Sequence, residues 1–106
     1  MSLNINAVLK DMTQAIVDSV KEEAGDIKDY AKEILDNEID TLKDLGEARI
    51  NKVIDKKVFD REIEREKMVV EAELLTIQIM TKAMAEKATN AAIEVFVNAV
   101  KTAIKM

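Results

Sequence analysis

The chain has 106 residues, a formal net charge of −5, and no proline, histidine, cysteine or tryptophan. It therefore lacks the commonest catalytic bases, thiol nucleophiles and soft metal ligands, and its negative charge argues against a nucleic-acid partner, because sequence-independent binding needs clustered lysine and arginine. With 48% hydrophobic residues it is too apolar for a disordered tail, so we expect one folded domain over residues 1–106.

Apolar residues recur at helical spacing through the first half of the chain. The spacing averages about 3.6 residues and stays in phase across Gly25. We therefore predict one long helix over residues about 5–50, in which Gly25 is only a weak position. The alternative is that Gly25 ends a first helix and Asp26 caps a second one. The apolar stripe runs through Ile5, Leu9, Met12, Ile16, Val20, Ala24, Ile27, Ala31 and Ile34.

The middle of the chain carries the strongest signal for a turn, which we place over residues about 51–54. Asn51 tolerates the left-handed conformation that ends many helices, and Asp55 can cap the amides of a new helix. Ile54 before this cap and Phe59 after it have the spacing of a hydrophobic staple.

A second helix then follows over residues about 55–105, which makes the fold all-α, a long antiparallel helical hairpin. Each helix would be about 70 Å long at 1.5 Å per residue. Gly46 is a competing position for the turn, but the residues after it are good helix formers without an N-cap.

Dense mixed charge follows the turn over residues 60–67. Helical spacing places Arg61 beside Glu64 and Glu62 beside Arg65. This pattern is typical of a solvated helix surface, with a docking patch as the alternative.

Apolar residues become denser from Met68 onward and fall into two stripes on opposite faces of the second helix. A two-helix hairpin can cover only one stripe, so the other needs a partner. Self-association into a homodimeric or larger four-helix bundle is the simplest solution. A monomeric three-helix fold bent at Gly25 and an unknown protein partner are the alternatives. The predicted oligomer interface consists of Leu75, Ile79, Ile93, Val97, Val100 and Ile104.

No motif in the chain predicts catalysis or a metal centre. Bundles that hold two metal ions use Glu-x-x-His pairs, which a chain without histidine cannot supply. Glu22, Glu23, Glu62 and Glu66 could form an all-carboxylate site for magnesium or calcium, but they lie in mixed-charge sequence without a calcium-loop glycine. We therefore expect no enzyme activity, no cofactor and no metal.

Two classes of function remain. The first is a non-enzymatic helical-bundle protein that acts through self-association and protein–protein interaction. The alternative is an amphipathic protein that binds a lipid or membrane surface, which the surplus of one positive charge over residues 67–106 favours and the overall acidic charge opposes.

The sequence also carries hints about location. No apolar stretch is long enough to span a bilayer, and we see no secretory h-region. The absence of cysteine fits a reducing compartment, so we expect a cytoplasmic protein.

Overall fold

The computed structural model describes residues 3–20 and 24–105, with side chains for all of these except residues 24–26. The described residues form five α-helices that pack into a bundle, which confirms the predicted all-α class. The helices are α1 (Ile5–Val20), α2 (Ala24–Asn37), α3 (Ile39–Ile50), α4 (Lys56–Leu74) and α5 (Lys82–Lys105).

The two continuous helices expected from the sequence are both interrupted. The bundle measures 40 × 23 × 19 Å, which is too short for helices of about 70 Å. The first expected helix corresponds to α1, α2 and α3, and the second to α4 and α5. The apolar pattern did not reveal these interruptions because successive helices bury the same stripe in one core, so the stripe continues through each change of direction.

Gly25 lies inside α2 and does not separate the first two helices. Helix α1 already ends at Val20, and α2 begins at Ala24. The expectation that Gly25 is a position inside a helix is therefore confirmed, whereas the alternative that Gly25 ends a first helix is wrong. Asp26, expected to cap a second helix, lies within α2 as well.

Thr81 explains where the second half of the chain is interrupted. Its hydroxyl oxygen accepts a hydrogen bond from the backbone N–H of Met84 at 3.2 Å, so it caps the start of α5. The connecting segment 75–81 is held by local turns, including a bond from the Met80 N–H to the Ile77 carbonyl at 2.9 Å. Ile77 and Met80 are buried, so this connection packs against the core.

The turn predicted in the middle of the chain is confirmed. Asp55 is the N-cap of α4, and its carboxylate accepts a hydrogen bond from the Val58 N–H at 2.9 Å. Ile54 packs against the same apolar core that contains Phe59, as a hydrophobic staple requires.

The left-handed residue of this turn is Lys52 rather than Asn51. Lys52 has φ 61°, whereas Asn51 has φ −85°. The end of α3 is a Schellman motif, in which the left-handed residue comes one position after the C-cap. Its two defining bonds run from the Val53 N–H to the Ala48 carbonyl at 2.8 Å and from the Lys52 N–H to the Arg49 carbonyl at 3.2 Å.

Gly46, the competing position for the turn, lies buried within α3. A Cβ atom there would come within 2.7 Å of Leu3 Cδ2 and 3.4 Å of Phe96 Cζ. Gly46 therefore permits close packing between α3 and its neighbours.

Buried apolar side chains from all five helices form one core. Helix α1 packs most extensively on α5 and also on α2, while α4 also packs on α5. The most deeply buried large side chains are Met12, Ile16, Ile27, Leu35, Leu42, Val70, Leu74, Ile93, Phe96 and Val100. Among the described helices, none combines the length and the apolar character that a membrane span requires.

Candidate functional site

The outer side of α4 carries an exposed apolar surface. Met68 is 73% exposed, Leu75 39% and Ile79 44%. Met68, Ala72 and Leu75 follow the spacing of one helical face, and Ile79 lies in the connecting segment that comes next. We refer to Met68, Ala72, Leu75 and Ile79 as the α4 surface.

The charged residues that border the α4 surface are paired with one another. Lys67 contacts Glu64 at 3.3 Å, and Lys82 contacts Glu71 at 3.7 Å. The predicted pair of Glu62 and Arg65 forms at 3.5 Å, whereas Glu64 pairs with Lys67 instead of with Arg61. Lys82 also contacts Glu86 at 3.7 Å, so these ion pairs offset only part of the negative charge along the border of the α4 surface.

The six predicted interface residues occupy three different environments. Leu75, Ile79 and Ile104 are exposed, and Val97 is half-buried against the core. Ile93 and Val100 are each only 1% exposed, so the expectation that they lie on an outer stripe is corrected. The reason is that α1, α3 and α4 all pack on α5, and together they cover one broad face of that helix that includes Ile93 and Val100.

Glu66 was expected to lie on a solvated surface, but it is only 5% exposed. It occupies the inward face of α4, in register with Phe59, Ile63, Val70 and Leu74. This spacing was the signal available in the sequence, because Glu66 stands at a position where the helical period calls for an apolar side chain.

Burial raises the pKa of the Glu66 carboxyl from 4.5 to about 7. Desolvation is the largest cause, since it disfavours the charged form. A side-chain hydrogen bond with Glu38 and the negative charge of Glu38 raise the pKa further. Glu38 is the residue between α2 and α3.

A buried hydroxyl lies at the same level of the bundle as Glu66. Phe59 of α4 stacks on Phe96 of α5 with ring centroids 6.3 Å apart, and these two helices run antiparallel. Counting seven residues forward from Phe59 gives Glu66, and seven back from Phe96 gives Thr89. Among the described side chains, Glu66 Oε2 and Thr89 Oγ1 are the buried polar atoms without a hydrogen-bond partner.

Of the four glutamates considered for a metal site, the structure describes Glu62 and Glu66. Glu62 forms its ion pair with Arg65, while Glu66 is turned into the core. Glu22 and Glu23 lie outside the described residues. Within residues 3–20 and 24–105, no three potential metal-ligating side chains cluster.

Comparisons with protein-family models, curated proteins and solved structures gave no match. The functional argument therefore rests on the chemistry and geometry of this chain.

Proposed function

We propose that the protein is a non-enzymatic helical-bundle protein that acts through self-association, and that a second copy of the chain packs on the α4 surface. The observation that carries this proposal is the set of exposed apolar side chains on one face of α4, led by Met68 at 73% exposure, with Ile79 also exposed in the segment that follows. A helix face of this kind is a typical contact surface for another helix.

The charge around the α4 surface favours a second copy over an anionic partner. A two-fold contact brings identical surfaces together. Any unbalanced charge on the border would therefore be repelled by the charge of the same sign on the other copy. The pairing of Lys67 with Glu64, and of Lys82 with Glu71 and Glu86, reduces that repulsion. A nucleic acid or an anionic membrane would instead require a surplus of lysine and arginine.

The size of the surface indicates a reversible dimer. In a two-fold contact each copy buries Met68, Leu75 and Ile79, so six side chains contribute. A fully exposed large apolar side chain contributes about 1.5–3 kcal/mol when it is buried. Leu75 and Ile79 are already more than half covered, so they contribute less. Association itself costs about 4–15 kcal/mol, a range that overlaps the gain. We therefore expect a monomer–dimer equilibrium that responds to concentration.

Light scattering coupled to size exclusion tests this proposal over a dilution series. The wild type is expected to approach twice 11.9 kDa at high concentration and 11.9 kDa on dilution. The double variant Met68→Glu with Leu75→Glu should remain monomeric, because a dimer would bury its new charges. The control is Val53→Glu, which adds one of these two negative charges at a residue that is 76% exposed in the central turn.

Two results would contradict the proposal. In the first, the double variant retains its helical circular dichroism and the wild-type mass profile. In the second, the wild type is monomeric throughout but floats with lipid vesicles, and the double variant does not float. The α4 surface would then bind lipid instead of a second copy.

A further inference from the structure

One end of the bundle is basic, although the chain as a whole is acidic. Residues 47–61 and 97–105 meet at this end, where Arg49 of α3, Lys56 of α4 and Lys101 of α5 line one cleft. These two segments, which we call the basic end, carry seven lysine and arginine residues against three acidic residues. The rest of the sequence carries nine against 18. We propose that the folded bundle docks on an anionic lipid surface through the basic end.

Most cations of the basic end are available to bind an external anion. Lys56 is the exception, because its Nζ atom lies 2.6 Å from a carboxylate oxygen of Asp60. Among the described side chains, the other lysine and arginine residues of this end form no ion pair. Lys52, Lys57 and Lys101 are also exposed, so lipid headgroups can approach them. Each lysine close to an anionic leaflet strengthens the attraction to it.

An exposed aliphatic side chain lies among these cations. Val53 follows Lys52 in the turn between α3 and α4 and is 76% exposed, more than any other large apolar side chain in the described part of the chain. The Schellman motif holds this residue in place, since the Val53 N–H donates to the Ala48 carbonyl at 2.8 Å. Stable attachment to a membrane needs a second signal in addition to a basic patch. Val53 supplies an apolar contact without the cost of ordering a loop.

The length of the bundle reconciles this docking with the negative net charge. Helix α5 has 24 residues and spans about 36 Å, close to the 40 Å length of the bundle. Surface charges are screened over about 8 Å at physiological ionic strength. Most of the acidic surface therefore lies beyond this range when the basic end contacts the lipid. An anionic leaflet also repels the acidic surface, so the basic end both attaches the bundle and orients it.

A lipid surface matches the basic end better than a nucleic acid does. Nucleic-acid phosphates would pair with the same lysines, but they offer no apolar surface to Val53. A bilayer interface presents anionic headgroups and acyl chains at adjacent depths, so it can contact the lysines and Val53 together. The dependence of binding on Val53 therefore distinguishes these two partners.

Flotation with lipid vesicles tests the proposal at about 0.1 M salt, where surface charges still interact. The wild type should bind phosphatidylcholine vesicles that contain about 30% phosphatidylserine, and it should not bind pure phosphatidylcholine. Lys52→Gln with Lys57→Gln should lower the partition coefficient about 25-fold, because each lysine near an anionic surface contributes about fivefold. Val53→Ser should lower it about fivefold through loss of the apolar contact.

The matched control is Lys28→Gln with Lys87→Gln, which removes two exposed lysines outside the basic end. It changes the net charge equally and should bind within about twofold of the wild type. Met68→Glu with Leu75→Glu should also still bind, because the α4 surface lies toward the opposite end of α4. Lipid docking and self-association are thereby tested separately, and circular dichroism verifies that each variant is folded.

The proposal is wrong if the wild type does not bind the anionic vesicles, or if the variant at Lys52 and Lys57 binds them as well as the control does. It is also wrong if vesicle binding depends on Met68 and Leu75 instead, since the α4 surface would then be the lipid site. A third result would overturn it as well, namely binding to a DNA duplex that needs both lysines but is unaffected by Val53→Ser. The basic end would then be a nucleic-acid site.

Discussion

Glu66 links the stability of the fold to pH, and the sign follows from the direction of its pKa shift. The folded protein binds the Glu66 proton more tightly than the unfolded chain, because the pKa rises from 4.5 to about 7. The contribution is fully present below pH 4.5 and is lost as the pH rises through about 7. A difference of about 2.5 pKa units corresponds to about 3 kcal/mol.

We therefore expect the free energy of unfolding to fall by up to about 3 kcal/mol between about pH 4.5 and about pH 8.5 because of Glu66. Urea unfolding of the wild type and of Glu66→Gln at both pH values measures this contribution as the difference between the two proteins. Subtracting the variant removes the effects of the other carboxylates. A difference that does not change with pH would show that Glu66 titrates normally.

Lys52 is held in a conformation that favours glycine. Its φ of 61° lies in the left-handed region, where a side chain costs about 1 kcal/mol relative to glycine. Lys52→Gly should therefore raise the free energy of unfolding by up to about 1 kcal/mol, measured by urea denaturation. The neighbouring Asn51→Gly is the control, because Asn51 has φ −85° and gains nothing from glycine. Equal effects of the two substitutions would contradict this account.

At the scale of elements, Gly46 determines how closely α3 approaches the start of the chain. A methyl group at Gly46 would come within 2.7 Å of Leu3 Cδ2, so Leu3 must move aside. Gly46→Ala gains about 1 kcal/mol of helix propensity but displaces Leu3 from the core, and we expect the two effects nearly to cancel.

A double-mutant cycle measures this coupling. In a Leu3→Ala background the clash is absent, so Gly46→Ala should stabilise the protein by about 1 kcal/mol. The distance of 3.4 Å to Phe96 is tolerable with a small adjustment. The same effect of Gly46→Ala in both backgrounds would show that Leu3 and Gly46 do not interact.

Replacing isoleucine with glutamate should change stability very differently at a buried and at an exposed position of α5. Ile93 is 1% exposed, so Ile93→Glu should cost more than about 4 kcal/mol and unfold the protein. Ile104 is exposed near the end of α5, and Ile104→Glu should change stability by less than about 1 kcal/mol. Circular dichroism and urea unfolding distinguish them. A folded, dissociated Ile93→Glu variant would restore the sequence-based expectation that this residue lies at an interface.

Local signals explain which elements the sequence could predict. The turn and the Asp55 cap depend on a few adjacent residues, and both were predicted. The cap at Thr81 was equally local but was missed, because the surrounding apolar pattern continued at helical spacing. The interruption at Glu38 was harder to predict than the cap at Thr81, because the Glu38 side chain makes no capping hydrogen bond.

The burial of Ile93 and Val100 could not be predicted, because it depends on how many helices surround each residue. With two helices, Ile93 and Val100 would remain on an outer face, whereas the five-helix bundle covers them. Glu66 was assigned to the surface from the charges around it, although its register with Ile63 and Val70 pointed inward. The arrangement of helices decided these environments.

At the scale of the whole molecule, the extensive packing of α1 on α5 has a consequence for synthesis. A ribosome produces α1 first among these helices and α5 last, so the core cannot close until nearly all the described chain has emerged. Until then α1 and α2 can cover only part of each other's apolar faces. The pairing of distant helices also raises the contact order, which slows folding relative to a bundle whose helices pack only on their sequence neighbours. The nascent chain therefore passes through a period in which its apolar face is open to chaperones and to other unfinished copies.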